Sequence, residues 1–358
     1  MDGIEGVSLP SIYDPAPPND DPRAPPEFDD DGEGDFPPLP HADRRPLIDP
    51  SAWRKAQGDC ALELARAAMA VGRLDALVAA MGPGMGQGAI ARLALSETTE
   101  LLWTAGTPVP ADELARDLAE ARAGTDLAAL QQGRWAMRRL AGQGDTTDLR
   151  SFLGLHRVQS DDAPRDALGL RLQGEDFDAE ARGFQERMAG MQDLHPIAQG
   201  AFARTAWALT DLSPEGDLLE GAAWSARTMA ADCLTLPFAP LGRAGRRVLR
   251  RGGPPEARLR DHCVAVTDAA TASRQDLLRL QGWAERAARM TAAIKGYDPG
   301  KIIAALITHP QALTATIETT AGISRDTAER LLTRMQAMGL VREITGTRRF
   351  RIWSALMM

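Results

Sequence analysis

The chain has 358 residues and a formal net charge of −8 at pH 7, with 44% hydrophobic and 25% charged residues. This length accommodates two or three domains and a full hydrophobic core. Its three cysteines are few and far apart, which excludes a disulfide framework and predicts a reducing, cytoplasmic compartment. We expect no secretion and no membrane partner, since the sequence begins without an apolar signal and has no run of eighteen apolar residues.

Residues 1–50 have the composition of a disordered acidic tail. They contain twelve of the 24 prolines and thirteen acidic residues against three arginines. Proline removes backbone hydrogen bonds and like charges repel, so this segment cannot form a core. Two interpretations stay open. The tail is a solubilising linker, or the acidic stretch 28–36 is an arm that competes for a basic surface elsewhere.

Residues 51–296 show helical periodicity throughout and predict an all-α middle domain. Asp59 is the expected cap of the first helix, whose apolar stripe includes Leu62, Ala65 and Met69. An irregular loop is expected over residues 159–174. The predicted helices cover residues 60–81, 90–103, 111–123, 126–140, 195–212, 217–234 and 258–295.

Two segments of unusual composition interrupt this pattern. Residues 81–88 are glycine-rich without a preceding strand, which predicts a flexible linker rather than a phosphate loop. Residues 242–251 contain five arginines. They either lie along a nucleic-acid backbone or around a phosphate, or form a solvated loop.

Catalytic and metal-binding patterns are missing from the sequence. The five histidines include no pair at helical i, i+4 spacing and no Cys/His cluster. No glycine-rich loop leads into a lysine, and no nucleophile motif occurs. We therefore predict no catalytic residue, no metal and no cofactor.

Residues 297–358 carry the most specific pattern in the chain. A short helix over 314–321 is followed by the turn Gly322-Ile323-Ser324 and a longer helix over 325–338, which Gly339 ends. Glycine suits the left-handed turn, and a serine hydroxyl caps the next helix. Residues 340–353 then read as two strands about a Thr-Gly turn.

The longer helix is amphipathic. Its apolar positions, spaced as one stripe, are Ala328, Leu331, Leu332, Met335 and Met338. Residues 301–358 hold eight Lys or Arg against four Asp or Glu, a basic excess typical of nucleic-acid binding. Thr333 and Gln336 add polar groups to the opposite face. The candidate DNA-contacting residues are Ser324, Arg325, Asp326, Thr327, Arg330 and Arg334 on this helix, and Arg348, Arg349 and Arg351 on the wing.

Gly322 to Ala328 and Leu340 to Gly346 resemble the winged helix-turn-helix family of bacterial DNA-binding domains. That resemblance implies a recognition helix in the major groove of double-stranded DNA. The layout of the whole chain also resembles an alphaproteobacterial, rhizobial-type family that ends in a helix-turn-helix domain. The resulting hypothesis is a transcriptional regulator of unknown effector. A homodimer is expected through Leu277, Leu278, Leu280 and Trp283 of the long helix.

A weaker resemblance connects the middle domain to Fic-family proteins, which transfer AMP from ATP to hydroxyl groups. Residues 194–207 resemble the helix before their active-site loop, and Ser96 and Glu100 resemble their inhibitory motif. The loop at 212–217, or the later stretch 236–246, lacks the histidine and the metal-binding Asp-Gly-Asn of that family. The alternatives are therefore a degenerate Fic-like protein that binds or transfers a nucleotide, and an interaction module without nucleic acid.

Overall fold

The computed structural model describes residues 45–118, 126–155, 171–250, 252–296, 298–345 and 351–357. These residues belong to one compact unit. The predicted tail lies outside the described residues except for residues 45–50. The chain is mainly α-helical, as predicted, and within the described ranges no strand precedes Ala312. None of its described helices has the length and apolar character needed to cross a membrane.

The helices before the sheet form a single bundle, opened by a 3-10 turn over Arg45–Ile48. Their bounds are α1 Pro50–Asp59, α2 Ala61–Ala80, α3 Gly82–Ala105, α4 Ala111–Leu118, α5 Leu127–Leu140, α6 Leu149–Leu153, α7 Gly174–Ala189, α8 Pro196–Trp207, α9 Leu219–Thr228, α10 Gly242–Arg250, α11 Pro255–Thr291 and α12 Asp298–Thr308. Most of the predicted helices are confirmed. The loop expected over 159–174 lies largely outside the described residues.

The first long helix buries a different face from the one predicted. Leu62 and Met69 are 60% and 52% exposed. The buried stripe instead runs through Leu64, Val71 and Leu74, on the side of α2 that packs against α11. An alanine-rich helix has weakly apolar residues on several faces, so periodicity alone did not identify the buried face.

The expected cap at Asp59 is also wrong. Asp59 is the last residue of α1, and α2 follows Cys60 without a side-chain cap. The cap lies one helix earlier, where Asp49 accepts a hydrogen bond of 3.0 Å from the backbone N–H of Ser51. An aspartate before a helix satisfies an N–H group that the helix itself leaves unpaired.

The glycine-rich segment 81–88 is a helix start and not a flexible linker. Gly82 has a left-handed backbone, with φ +76°, and this change of direction separates α2 from α3. Helix α3 begins at Gly82 and includes the rest of the segment. Gly88 is buried where α3 crosses the end of α12. A Cβ atom at this position would lie 2.3 Å from the backbone oxygen of Ile307. Glycine is therefore needed here because two backbones approach each other closely.

Most of the arginine-rich tract forms α10, so of the two interpretations left open the solvated loop is excluded. Arg246 donates a hydrogen bond of 2.8 Å to Glu100 of α3, and its guanidinium lies 4.7 Å from the centre of the Trp103 ring. Arg250 donates to the backbone oxygen of Thr104. Part of the positive charge of this tract is thus used to attach α10 to α3.

A buried carboxylate holds the start of α10. Glu97 of α3 is 3% exposed, and its two oxygens accept hydrogen bonds of 3.0 Å and 2.9 Å from the N–H groups of Leu241 and Gly242. Burial raises the pKa of Glu97 to about 7, although both N–H groups act in the opposite direction. In this environment desolvation outweighs hydrogen bonding.

We expect the raised pKa of Glu97 to make stability depend on pH. A carboxyl group with a higher pKa in the folded state binds its proton more tightly there, so stability falls as pH rises from about 4.5 to about 7. Glu97→Gln cannot titrate and should show a smaller decline over this range. Urea unfolding at several pH values measures this. Parallel curves for both proteins would contradict the prediction.

The candidate dimer residues of the long helix are mostly buried inside the chain. Leu277, Leu280 and Trp283 are each 1% exposed, and only Leu278 among the four is accessible, at 39%. The indole N–H of Trp283 donates a hydrogen bond of 2.7 Å to the backbone oxygen of Leu340. This bond attaches the residues after Gly296, which we call the C-terminal segment, to α11. The predicted dimer surface is therefore wrong, and a homodimer stays a prediction.

The C-terminal segment follows a turn at Gly296, whose φ is +99°. After α12 come β1 Ala312–Leu313, α13 Thr314–Ala321, α14 Arg325–Ala337, β2 Val341–Glu343 and β3 Ile352–Ala355. The sheet order is β1-β3-β2 and both pairings are antiparallel, with Ala312 opposite Trp353 and Val341 opposite Ala355. A short strand, two helices and two further strands thus follow α12, and the sequence did not predict the first of these strands. The division into domains at residue 296 stays a prediction.

Candidate nucleic-acid interface

The turn between α13 and α14 has the geometry that its residue types predict. Gly322 ends α13 with φ +60°, and the N–H of Ile323 donates 3.2 Å to the oxygen of Glu318. Ser324 then caps α14, because its hydroxyl accepts a hydrogen bond of 3.3 Å from the N–H of Thr327. The first turn of α14 is therefore capped and is open to solvent.

The inner face of α14 packs on the rest of the C-terminal segment. All four of its central apolar residues are buried and Met338 is half-buried, which confirms the predicted stripe. The buried four are Ala328, Leu331, Leu332 and Met335. Burial of this face fixes which side chains of α14 point to solvent.

The outer face of α14 is the candidate interface, and we call its exposed residues the α14 face. Arg325 forms an exposed ion pair of 3.1 Å with Glu329. Neither Arg330 nor Arg334 forms an ion pair with a residue that the structure describes. Two cations are thus available to an incoming phosphate. The α14 face consists of Arg325, Asp326, Arg330, Thr333, Arg334 and Gln336.

Of the three candidate arginines on the wing, the structure describes Arg351. Arg348 and Arg349 lie outside the described residues. Arg351 precedes β3, donates hydrogen bonds of 2.9 Å and 2.7 Å to Glu343, and lies 4.5 Å from the centre of the Trp353 ring. Its charge is already balanced by a carboxylate, so Arg351 offers less to a phosphate than the arginines of α14 do.

Two of the histidines that the structure describes, His195 and His262, make contacts within the fold. Nδ1 of His195 accepts a hydrogen bond of 3.1 Å from the N–H of Ile197 and so caps α8. His262 is fully buried, with Nε2 3.0 Å from the sulfur of Met229. Burial holds the pKa of His262 well below its usual value. His309 lies at the end of α12, while His41 and His156 are outside the described residues.

No candidate metal centre emerges from the described side chains. In those ranges, no three histidine, cysteine or acidic side chains come together as ligands. The cysteines are free, and burial raises the pKa of Cys263 to about 12. A thiol with so high a pKa is a poor nucleophile.

The loop between α8 and α9 borders a cavity of about 690 Å³, at the place that the Fic-like resemblance marks as an active site. Arg171 reaches it but forms a 2.6 Å ion pair with Glu220, which also accepts a hydrogen bond of 2.6 Å from Ser213. Asp211, Glu215 and Asp217 line the same cavity. No histidine lines it in the part of the chain that the structure describes.

The motif that resembles a Fic inhibitory helix serves packing. Glu100 binds Arg246 of α10, while Ser96 is exposed on the same helix. The second candidate loop, residues 236–246, includes the first half of α10. At its start, the N–H of Leu236 donates a hydrogen bond of 2.8 Å to Asp75 of α2. Both segments are therefore accounted for by contacts inside the bundle.

Comparison with known proteins gives matches among solved structures. No protein-family model and no curated protein matches the chain. A similar solved structure is a Fic family protein from Desulfovibrio desulfuricans G20, at 11% sequence identity and a TM-score of 0.44. The match covers 81% of this chain and 95% of the other. At this identity and TM-score the likeness establishes neither a shared family nor a shared activity.

Proposed function

We propose that this protein binds double-stranded DNA by placing α14 in the major groove, as a transcriptional regulator does. The observation that carries the proposal is the α14 face, which is solvent-exposed and held by a capped N-terminus and a buried inner stripe. Side chains at the start of such a helix reach base edges, and those further along reach phosphates.

Charge supports the same proposal. The chain carries −8 overall, but residues 301–358 have a basic excess of eight against four. A local basic surface is sufficient for attraction to phosphate, since salt screens charges beyond about 8–10 Å. Arg330 and Arg334 are well placed for phosphates, and Asp326 can accept a hydrogen bond from a cytosine amino group.

The test is selection from a pool of randomised duplexes with the full-length protein. We expect enrichment of a defined sequence, with an affinity that falls steeply as salt concentration rises. The Arg330→Ala/Arg334→Ala double variant should lower the salt slope by about two, because two phosphate contacts are lost. Arg66→Ala, an exposed arginine of α2, is the matched control and should behave as wild type. Absence of enrichment would contradict the proposal.

A second candidate is Fic-like nucleotide binding in the α8–α9 loop cavity, which is favoured by the size and position of that cavity. The charges lining it count against a nucleotide. Three carboxylates face one arginine that is already paired, so a triphosphate would meet net negative charge. A hydroxyl nucleophile also needs a base, and the loop supplies no histidine.

We therefore expect no AMP transfer. Incubation of the full-length protein with labelled ATP, Mg²⁺ and cell lysate should label no protein above a blank. An active AMP transferase assayed in parallel shows that the lysate contains acceptors. Reproducible labelling that Asp217→Asn abolishes would establish the second candidate instead.

A further inference from the structure

A second cavity, which we call the junction cavity, lies where α3 and α11 meet the C-terminal segment. Its volume is about 420 Å³, within the range of small-molecule sites. One wall comes from α3 and α11, and the other from the residues before β1 and at the end of β3. Polar groups from both walls line it: Arg92, Ser96, Ser273, Gln311 and Ser354.

Arg92 brings a positive charge to this cavity. Its guanidinium donates to the backbone oxygens of Leu306 on α12 and of His309, the residue after α12. Its Nε–H is buried and has no hydrogen-bond partner among the described residues. Burial lowers the pKa of Arg92 to about 10, so the group is still charged at neutral pH. A partly buried cation is stabilised by an anion close to it.

The other charges at the cavity leave that requirement unmet. Asp276 is the acidic residue lining the junction cavity, and it forms an ion pair with Arg279. The lining side chains therefore sum to one positive charge, from Arg92. Gln311 lines the C-terminal wall, where its Nε2 donates a hydrogen bond of 2.9 Å to Asp112.

Apolar side chains complete the lining. Leu93, Leu95 and Leu277 lie on the helical wall, and Pro310 and Met357 lie on the C-terminal wall. Such a surface excludes a bare inorganic anion as the best-fitting occupant, because the apolar groups would gain nothing from it. It suits an organic body of a few carbon atoms that carries one negative group.

We propose that the junction cavity binds a small organic monocarboxylate, with its carboxylate on Arg92 and its apolar body against Leu277 and Met357. The ligand touches both the helical bundle and the C-terminal segment. Its occupancy therefore alters how firmly the two are held together. As a consequence for regulation, which rests on the proposed DNA binding, the ligand changes the affinity for the selected duplex.

The test of binding needs no DNA. Full-length protein is titrated with phenylacetate and hexanoate, and with phenylacetamide and hexanamide as uncharged counterparts, by calorimetry and by protein-detected NMR. We expect the carboxylates to bind and the amides to bind at least about tenfold more weakly, since a charge-assisted hydrogen bond is lost. Equal binding of acids and amides, or binding of none of the four, overturns the proposal.

Variants locate the site. Arg92→Gln should weaken carboxylate binding about tenfold or more, and Ser273→Leu should block it by filling the cavity while leaving Arg92 in place. Arg66→Gln on the exposed face of α2 is the control and should bind normally. If Arg92→Gln does not fold, Ser273→Leu decides. Undiminished carboxylate binding to folded Ser273→Leu overturns the proposal.

A last measurement compares affinity for the selected duplex in phenylacetate and in phenylacetamide. A change that depends on the carboxylate, and that Ser273→Leu removes, supports regulation through the junction cavity. If the protein binds carboxylates but selects no duplex, the ligand site is supported and the proposed DNA-binding function is contradicted. Duplex binding with no response to a bound carboxylate removes the regulatory part.

Discussion

Arg325→Ala is expected to reduce the preference for the selected duplex over a scrambled one by about tenfold, because a matched base contact contributes roughly 1–3 kcal/mol of discrimination. Arg325 is the first residue of α14 and is exposed. Its ion pair with Glu329 is also exposed and contributes less than about 1 kcal/mol, so the side chain is readily released to a base. Affinity for both duplexes, measured by fluorescence anisotropy across a salt series, gives the result.

Arg349→Ala provides the contrasting variant on the wing. A cation there meets phosphate, so its loss should weaken binding to both duplexes by similar factors and lower the salt slope by about one. If Arg325→Ala and Arg349→Ala change only the salt slope, α14 does not read bases. If neither has any effect, the C-terminal segment does not bind DNA.

Gly88→Ala is expected to destabilise the protein by about 1–3 kcal/mol or more, as overpacking does in close-packed interiors. The new Cβ would lie 2.3 Å from the oxygen of Ile307 and 2.6 Å from the Cα of Thr308. Backbone atoms cannot rotate away, so α3 and α12 must separate. Urea unfolding monitored by circular dichroism measures the loss.

Gly84→Ala is the matched control because it lies in the same helix with no atom within 4 Å of the new Cβ. Alanine is favoured over glycine in helices by roughly 1 kcal/mol, so this variant should be neutral or slightly stabilised. Equal destabilisation by both substitutions would show that helix α3, and not its contact with α12, was disturbed.

The elements predicted best are those whose signals are local. Gly322 and Ser324 specify a turn and a cap within three residues of sequence, and the structure has both. The apolar stripe of α14 was equally clear, since polar residues occupy its other face. Local residue types determine such features before any tertiary contact is made.

The predictions that failed depended on contacts distant in sequence. In the sequence, Gly88 predicts a flexible segment. In the structure it lies against Ile307, more than two hundred residues later, and it is needed for that close contact. Trp283 was predicted to contact a second copy of the chain, but its indole N–H donates to Leu340 of the same chain. In both cases the residue type was noticed correctly, but its partner could not be predicted from one sequence.

The two cavities could not have been predicted either. The junction cavity joins Arg92, Leu277 and Gln311, which come from three separate segments and match no short motif. The α8–α9 loop was located through a resemblance. The net negative charge of its cavity, however, arises because Glu220 neutralises Arg171, and the sequence does not reveal that ion pair. Pairing of that kind is decided by packing and not by spacing.

The bond from Trp283 to Leu340 has a consequence for operator geometry. It joins the C-terminal segment to α11, a helix of 37 residues and about 55 Å in length, and not to a loose tether. In a complex of two copies on one duplex, the bundle would fix both the distance between the two α14 helices and their relative rotation around the DNA axis. Each base pair inserted between half-sites rotates one of them by about 34° around the DNA axis. Operators of such a protein would therefore share a single half-site spacing.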